Sequence, residues 1–164
     1  MEIRKIKPFE AVSMRLVKGE DLNHHGTLFA GRTAEWFVES GFVAAANLIN
    51  PKHVVCLQIH GMYFAAPVQP GEVLKFASKI ICTGRSSLMA YITVTKMNDN
   101  KNLVSGFVTY IHVDENTRPA AHGIEIIPET EEDIQLNELA QCVKNQRSDI
   151  ESWTARGYAK MLIC

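Results

Sequence analysis

Residues 23–50 read N-H-H-G-T-L-F-A-G-R-T-A-E-W-F-V-E-S-G-F-V-A-A-A-N-L-I-N, and the fold turns on how this stretch is read. It opens as a polar loop punctuated by glycine. It continues over residues 30–49 as a segment apolar on nearly every side, the pattern of a helix buried all round. Asn50-Pro51 stops it, because proline cannot continue a helix. Only Arg32, Glu35 and Glu39 interrupt the apolar run. The two glutamates are four apart and share one stripe of the helix. A carboxylate buried there is costly unless it is paired or put to use. This is the first place to expect chemistry.

Outward from the helix, residues 9–17 alternate loosely and read as a strand, and 18–25 as a polar turn region. After the helix come four strand-like runs, 53–64, 72–83, 85–97 and 103–113. Gln69-Pro70-Gly71, Thr83-Gly84 and the polar stretch 98–102 separate them. Long runs joined by tight turns predict an antiparallel meander. In the second run Leu74, Phe76, Ile80 and Cys82 share one face, with Lys75 and Lys79 on the other. Residues 114–127 form a polar, proline-bearing connection. Thr130-Glu131-Glu132-Asp133 has the form of a helix start, with acids in the first turn. That helix is expected to reach 156, with Gly157 as its stop. Its apolar stripe is Leu136, Leu139, Val143, Ile150 and Trp153, to be laid on the body or on a partner subunit. The fold class is α+β, one antiparallel sheet wrapped around one hydrophobic helix. The expected division is 1–128 for the core domain and 129–164 for a C-terminal helical extension. A lone sheet of this kind has exposed edges, and pairing two copies edge to edge removes one of them.

Composition excludes several classes. A chain of 164 residues with a formal net charge of -1 is no general nucleic-acid binder and carries no polybasic membrane anchor. The most apolar segment holds Glu35 and Glu39, so no membrane span is expected. The start M-E-I-R-K-I-K-P is too charged for a signal peptide. Cys56, Cys82, Cys142 and Cys164 show no CxxC spacing, which suits free thiols in a cytoplasmic setting. HxH, HExxH, GxSxG and Walker patterns are absent, so neither a metal site nor a Ser-His-Asp hydrolase is expected.

Four motifs in order carry a resemblance. They are Asn23-x-x-Gly26-Thr27-Leu28-Phe29-Ala30-Gly31, then Met62-x-Phe64-x-x-Pro67-Val68-x-x-Gly71-Glu72, then Gly84-Arg85-Ser86-Ser87, then Val113-Asp114. Together they resemble the hot-dog-fold acyl-CoA thioesterases of the YciA and cytosolic acyl-CoA hydrolase type, over about residues 11–127. The resemblance implies a homodimer, often a trimer of dimers, with active sites shared between two chains. It implies that the helix start and the loop asparagine face the thioester carbonyl. It also implies that an acid on the facing subunit's helix handles water, and that the Gly-Arg-Ser-Ser turn meets CoA. CoA is then part of the substrate, and no cofactor is needed. Two positions depart from the family pattern. Val38 stands where the family's aspartate is usual, with Glu39 next to it, where some relatives carry an acid. Ala30 stands in place of the usual glycine.

The resulting assignments are specific. Asn23 and the Gly31 amide would stabilise the oxyanion, since helix-start amides carry partial positive charge. Asn23 is otherwise a turn residue. Glu39, partly desolvated, would act as base, or else be a buried structural glutamate paired with Arg32, Arg85 or a histidine. Glu35 is its rival, though an ion pair with Arg32 is its simplest role. Gly84, Arg85, Ser86 and Ser87 would hold CoA. Phe37 and Phe42 would shape the acyl pocket. His60 reads as a core or interface residue. Two other readings stay open: a hot-dog hydratase or dehydratase, and a non-catalytic acyl-CoA sensor.

Overall fold

The computed structural model describes residues 2–155, with side chains as far as residue 145. The chain begins with β1 (Arg4–Ile6) and β2 (Ala11–Leu16) and a one-turn helix at Gly19–Asp21, then enters α1 (Ala30–Ala46). Four long strands follow: β3 (Val54–His60), β4 (Val73–Thr83), β5 (Ser87–Lys96) and β6 (Asn102–His112). A short β7 (Ile124–Ile126) and α2 (Glu131–Ala155) close the described chain.

The main sheet is antiparallel in the order β2-β4-β5-β6-β3. The expected meander therefore holds for β4, β5 and β6 only. β3 does not pair with β4. It crosses to the far side of β6, with Val54 opposite His112 and His60 opposite Phe107. Residues 61–72 make the crossing, turning on left-handed glycines at Gly61 (φ 66°) and Gly71 (φ 84°). An addition concerns 114–127, read from the sequence as a polar, proline-bearing connection. Its end forms β7, which pairs in parallel with β1. Strands of three residues leave too little alternation to be seen in a sequence.

The inner face of the sheet packs on α1. Phe37, Leu74, Phe76, Leu88, Ile92, Val94, Val108 and Tyr110 are all fully enclosed there. Two hydroxyls fix the rotation of the helix. Tyr110 Oη donates to the Val38 carbonyl at 2.5 Å, and Ser78 Oγ to the Ser40 carbonyl at 2.7 Å. Gly41 makes the first contact possible: a Cβ there would lie 2.6 Å from the Tyr110 hydroxyl and 2.8 Å from Ile92. Burial pushes the Tyr110 pKa up, so the group stays protonated and remains a donor. The helix is not buried all round in the single chain. Thr33, Phe37, Ser40, Gly41, Ala44 and Ala45 face inward, whereas Glu35, Glu39 and Val43 are exposed.

On the outer face lies a second apolar cluster, Ile81, Cys82, Met89, Phe107, Leu136 and Ala140, capped by α2. Cys82 was expected on the inner face with Leu74 and Phe76. A β-bulge between Ile80 and Cys82 inserts one residue into the alternation and turns Cys82 outward. The stripe of α2 also shifts. Leu136, Ala140 and Val143 point to the sheet, while Leu139 is 54% exposed. Side chains at Ile150 and Trp153, and the stop at Gly157, lie outside the described residues.

Candidate active site

The loop before α1 is closed by its own polar atoms. Asn23 N–H donates to the Thr27 carbonyl at 2.8 Å, and Gly26 N–H to the Asn23 carbonyl at 3.0 Å, with Gly26 at φ 75°. The Asn23 Oδ1 accepts from the amides of His25 (2.8 Å) and Thr27 (3.3 Å). Its Nδ2 gives one proton to Thr27 Oγ1 at 3.1 Å. An amide nitrogen carries two protons, so one donor of Asn23 is left for another acceptor. The turn role and the donor role are thus compatible in one side chain.

At the start of α1, Phe29 is the N-cap and no side chain caps it. The Phe29 amide is used by the Asp21 carbonyl, and those of Arg32 and Thr33 by the Phe29 carbonyl. Among the described residues, the Ala30 and Gly31 amides meet no acceptor. Two open N–H groups at the positive end of a helix attract developing negative charge. A Cβ at Gly31 would meet the Phe29 ring, an exposed side chain that would have to swing aside. Beside this end lies a cavity of 260 Å³, lined by Asn23, Ala30, Thr33, Phe64, Pro67 and Leu103 among others. Residues 64–68 form its far wall, held by Ala65 N–H to the Leu103 carbonyl (3.0 Å) and Leu28 N–H to the Val68 carbonyl (2.9 Å).

The acids lie differently from expectation. The Glu39 side chain is 52% exposed, and its carboxylate pairs with Arg15 of β2 at 2.8 Å. It is thus not desolvated in the single chain. Neighbouring helical positions point about 100° apart, so Glu39 leans toward β2 and Val38 occupies a different flank. Glu35 pairs with Arg32 at 2.7 Å, as expected from their spacing. The buried carboxylate near the helix start is Asp21, only 6% exposed. It takes the Lys18 amide at 2.9 Å and the Arg32 guanidinium at 3.2 Å. Asp21 follows Glu20 directly in the chain, and nothing in the sequence distinguishes the buried acid from its neighbour.

Gly84, Arg85, Ser86 and Ser87 form the two-residue hairpin between β4 and β5, closed by Gly84 N–H to the Ser87 carbonyl at 2.8 Å. Arg85 is exposed. The turn is fastened from behind by residues no motif singled out. His112 N–H donates to the Ser86 carbonyl (2.7 Å) and His122 N–H to the Arg85 carbonyl (3.2 Å). The His122 ring bridges two strands: Nε2 reaches the Ser87 carbonyl at 3.2 Å, and Nδ1 accepts the Ile124 amide at 3.0 Å. Burial lowers the pKa of this imidazole, with a smaller push from nearby His112, which favours the neutral ring that accepting the Ile124 amide requires. A groove of 340 Å³ runs past Thr83, Gly84, Arg85, Gly123 and Ile124.

Leu74 lines the first cavity and Thr83 the second groove, at opposite ends of β4. Nine residues of strand span about 30 Å. One chain therefore does not bring Asn23 and Arg85 to the same ligand atom. Phe37 is fully enclosed in the core, and Phe42 is half-buried against Tyr110 with ring centroids 6.3 Å apart. Neither is among the residues lining the cavity beside Asn23. His60 sits on β3 with Nε2 2.8 Å from Thr109 Oγ1. Thr33, one turn into α1 and on the cavity wall, was missed because a threonine inside an apolar run reads as core.

No helix among the described residues is long and apolar enough to cross a membrane. The sequence model of the thioesterase superfamily matches residues 25–102. Over 152 residues the chain is 26% identical to YkhA of Bacillus subtilis strain 168, named an uncharacterized acyl-CoA thioester hydrolase, covering 90% of this chain and 87% of that protein. A hexameric acyl-CoA thioesterase solved in its apo form is 28% identical, with a TM-score of 0.77 over 87% of this chain and 92% of the other. An acyl-CoA hydrolase of Staphylococcus aureus, solved with butyryl-CoA and CoA, shares the fold at 20% identity, with a TM-score of 0.79 and 99% coverage of both chains. Over residues 25–102 the chain is thus similar to the thioesterase superfamily, and its structure has the hot-dog fold of the acyl-CoA thioesterases it matches.

Proposed function

We propose that this protein hydrolyses acyl-CoA thioesters to a free carboxylic acid and CoA, at a site built by two copies of the chain. The observation that carries the reading is the pair of open amides at Ala30 and Gly31, flanked by the spare donor of Asn23, on the wall of a largely apolar cavity. A thioester carbonyl seated there gains charge on oxygen as water adds to its carbon, and donors already in place stabilise that charge. The carbon–sulfur bond then breaks, and the thiolate of CoA takes up the proton removed from the water. Relatives and structural neighbours named as acyl-CoA hydrolases or thioesterases support the same reaction.

The 30 Å between the two ends of β4 is the reason for two copies. β3 is an open edge strand on which Val55, Leu57 and Ile59 are each more than 40% exposed. Pairing two β3 strands antiparallel covers them and sets the Arg85 turn of one copy toward the Asn23 loop of the other. In this arrangement Gly84, Arg85, Ser86 and Ser87 hold CoA, Asn23 and the Gly31 amide hold the oxyanion, and Glu39 of the facing copy aims the water. The assembly is a homodimer, stacked as a trimer of dimers. The free thiols of Cys56, Cys82 and Cys142 fit a cytoplasmic enzyme.

A second reading rests on one observation. Glu39 and Glu35 are both paired with arginines, and a chain whose helix acids stay paired binds acyl-CoA without cleaving it. A thiol-release screen over acyl-CoAs of graded length, with light scattering on the same sample, decides between them. Release with a preferred chain length and an assembly larger than one chain is expected. CoA-ester binding with no release selects the sensor.

A further inference from the structure

We propose that Lys144, carried on α2, binds the phosphates of CoA together with Arg85 and Ser87. The inference rests on the acyl-CoA reading above and extends it to a residue outside the four motifs.

The position of Lys144 follows from how α2 is mounted. Polar side chains at four-residue steps along one face of the helix meet β4 at successive points. Asp133 takes Lys79 Nζ at 2.7 Å, Asn137 Nδ2 donates to the Ile81 carbonyl at 2.7 Å, and Gln141 Nε2 lies 3.2 Å from Cys82 Sγ. Between them Leu136 and Ala140 seal the apolar cluster. The ladder climbs from residue 79 to 82 of β4, and the next turn of helix delivers Lys144 to Gly84. A Cβ at Gly84 would stand 3.2 Å from Lys144 Nζ and 2.5 Å from Ser87 Oγ. The ammonium and the hydroxyl thus flank the same bare stretch of backbone, and Arg85 follows directly in the chain.

The charges there are unbalanced. Neither Lys144 nor Arg85 enters an ion pair among the described residues, whereas Lys79 and Lys96 on the same sheet do. Glu125 is the carboxylate on the adjoining groove. Burial raises the thiol pKa of Cys82, and the Lys144 charge pulls the other way, which marks how close the ammonium stands. Two cations, a hydroxyl and a glycine that lets a ligand approach the backbone suit a phosphate ester. Pantetheine has no such group, whereas the nucleotide end of CoA carries a diphosphate and a 3′-phosphate. The class of ligand is therefore set by the nucleotide end of the thioester.

Calorimetry of CoA, 3′-dephospho-CoA and pantetheine against the full-length wild type, Lys144→Gln and Asn137→Ala tests this. Lys144→Gln is expected to weaken CoA roughly fivefold at low salt, with pantetheine unchanged and the loss shrinking as salt rises. In turnover, KM for an acyl-CoA rises and kcat holds. Asn137→Ala, which loosens the mount, gives part of the same loss and adds little on top of Lys144→Gln. Lys144→Arg restores binding. Unchanged CoA affinity in Lys144→Gln overturns the proposal, and so does an equal loss for CoA and pantetheine. CoA binding by the wild type with no thiol release ends the hydrolase reading alone. A wild type that binds no CoA ends both.

Discussion

The two ends of the sheet are built on different principles. At the Asn23 end, the loop closes on itself within five residues, and the donors are backbone amides of the next turn of chain. At the Arg85 end, a two-residue hairpin is held by His112 and His122, with Lys144 of a third segment standing beside it. The first end is stiff by local bonding, as a group aimed at a developing charge should be. The second gathers cations and hydroxyls around an open groove, as an end that only grips a leaving group can. The contrast predicts that damage at the first end lowers kcat, whereas damage at the second raises KM.

The largest effects are expected from the acid and the amide donor. Glu39→Gln should lower kcat/KM by about 10² to 10⁴ if the carboxylate leaves Arg15 to serve the facing copy. Arg15→Met should then cost little. A Glu39→Gln enzyme with full activity hands the water to another group and breaks the proposed division of labour. Asn23→Ala should lower kcat by roughly 10² to 10³, the usual loss for one oxyanion donor, with KM for acyl-CoA nearly constant. Next in size, Arg85→Gln should raise KM about tenfold at low ionic strength and less in salt, with kcat held. A matching fall in kcat would merge the two ends into one.

The smallest effect is a pH dependence confined to the second end. The folded pKa of His122 lies below its ordinary 6.5, with burial the main cause. Protonation therefore favours the loosened state. The bond from the Ile124 amide to Nδ1 is at full strength above 6.5 and is lost as pH falls through the folded value, while the Nε2 bond to the Ser87 carbonyl persists. KM measured from pH 7.5 downward should rise below 6.5 in the wild type. In a His122→Gln enzyme it should stay flat, while kcat follows its own profile in both.

Legibility in the sequence follows the same contrast. The Asn23 loop, α1 and the hairpin at Gly84 could be read because their defining contacts fall within a few residues. The pairing of β3 with β6 could not, since only the long excursion of residues 61–72 reveals it. The environment of Glu39 depended on Arg15, twenty-four residues earlier and on another element. The mount of α2 was hidden by its chemistry. Asp133, Asn137 and Gln141 look like a solvated face, yet they meet a lysine, a carbonyl and a thiol. The apolar stripe was then drawn through Leu139, which the helix turns to water.

The irregularity at Ile80-Ile81-Cys82 reaches further than its one residue suggests. It lets a single strand change allegiance midway, serving the helix in the concavity along its first half and the helix on the convex side near its end. Deleting Ile81 would restore even alternation and remove the carbonyl that Asn137 holds. The chain could still wrap α1, but the outer helix would be left half a step out of phase, with its ammonium swung away from the hairpin it now overhangs.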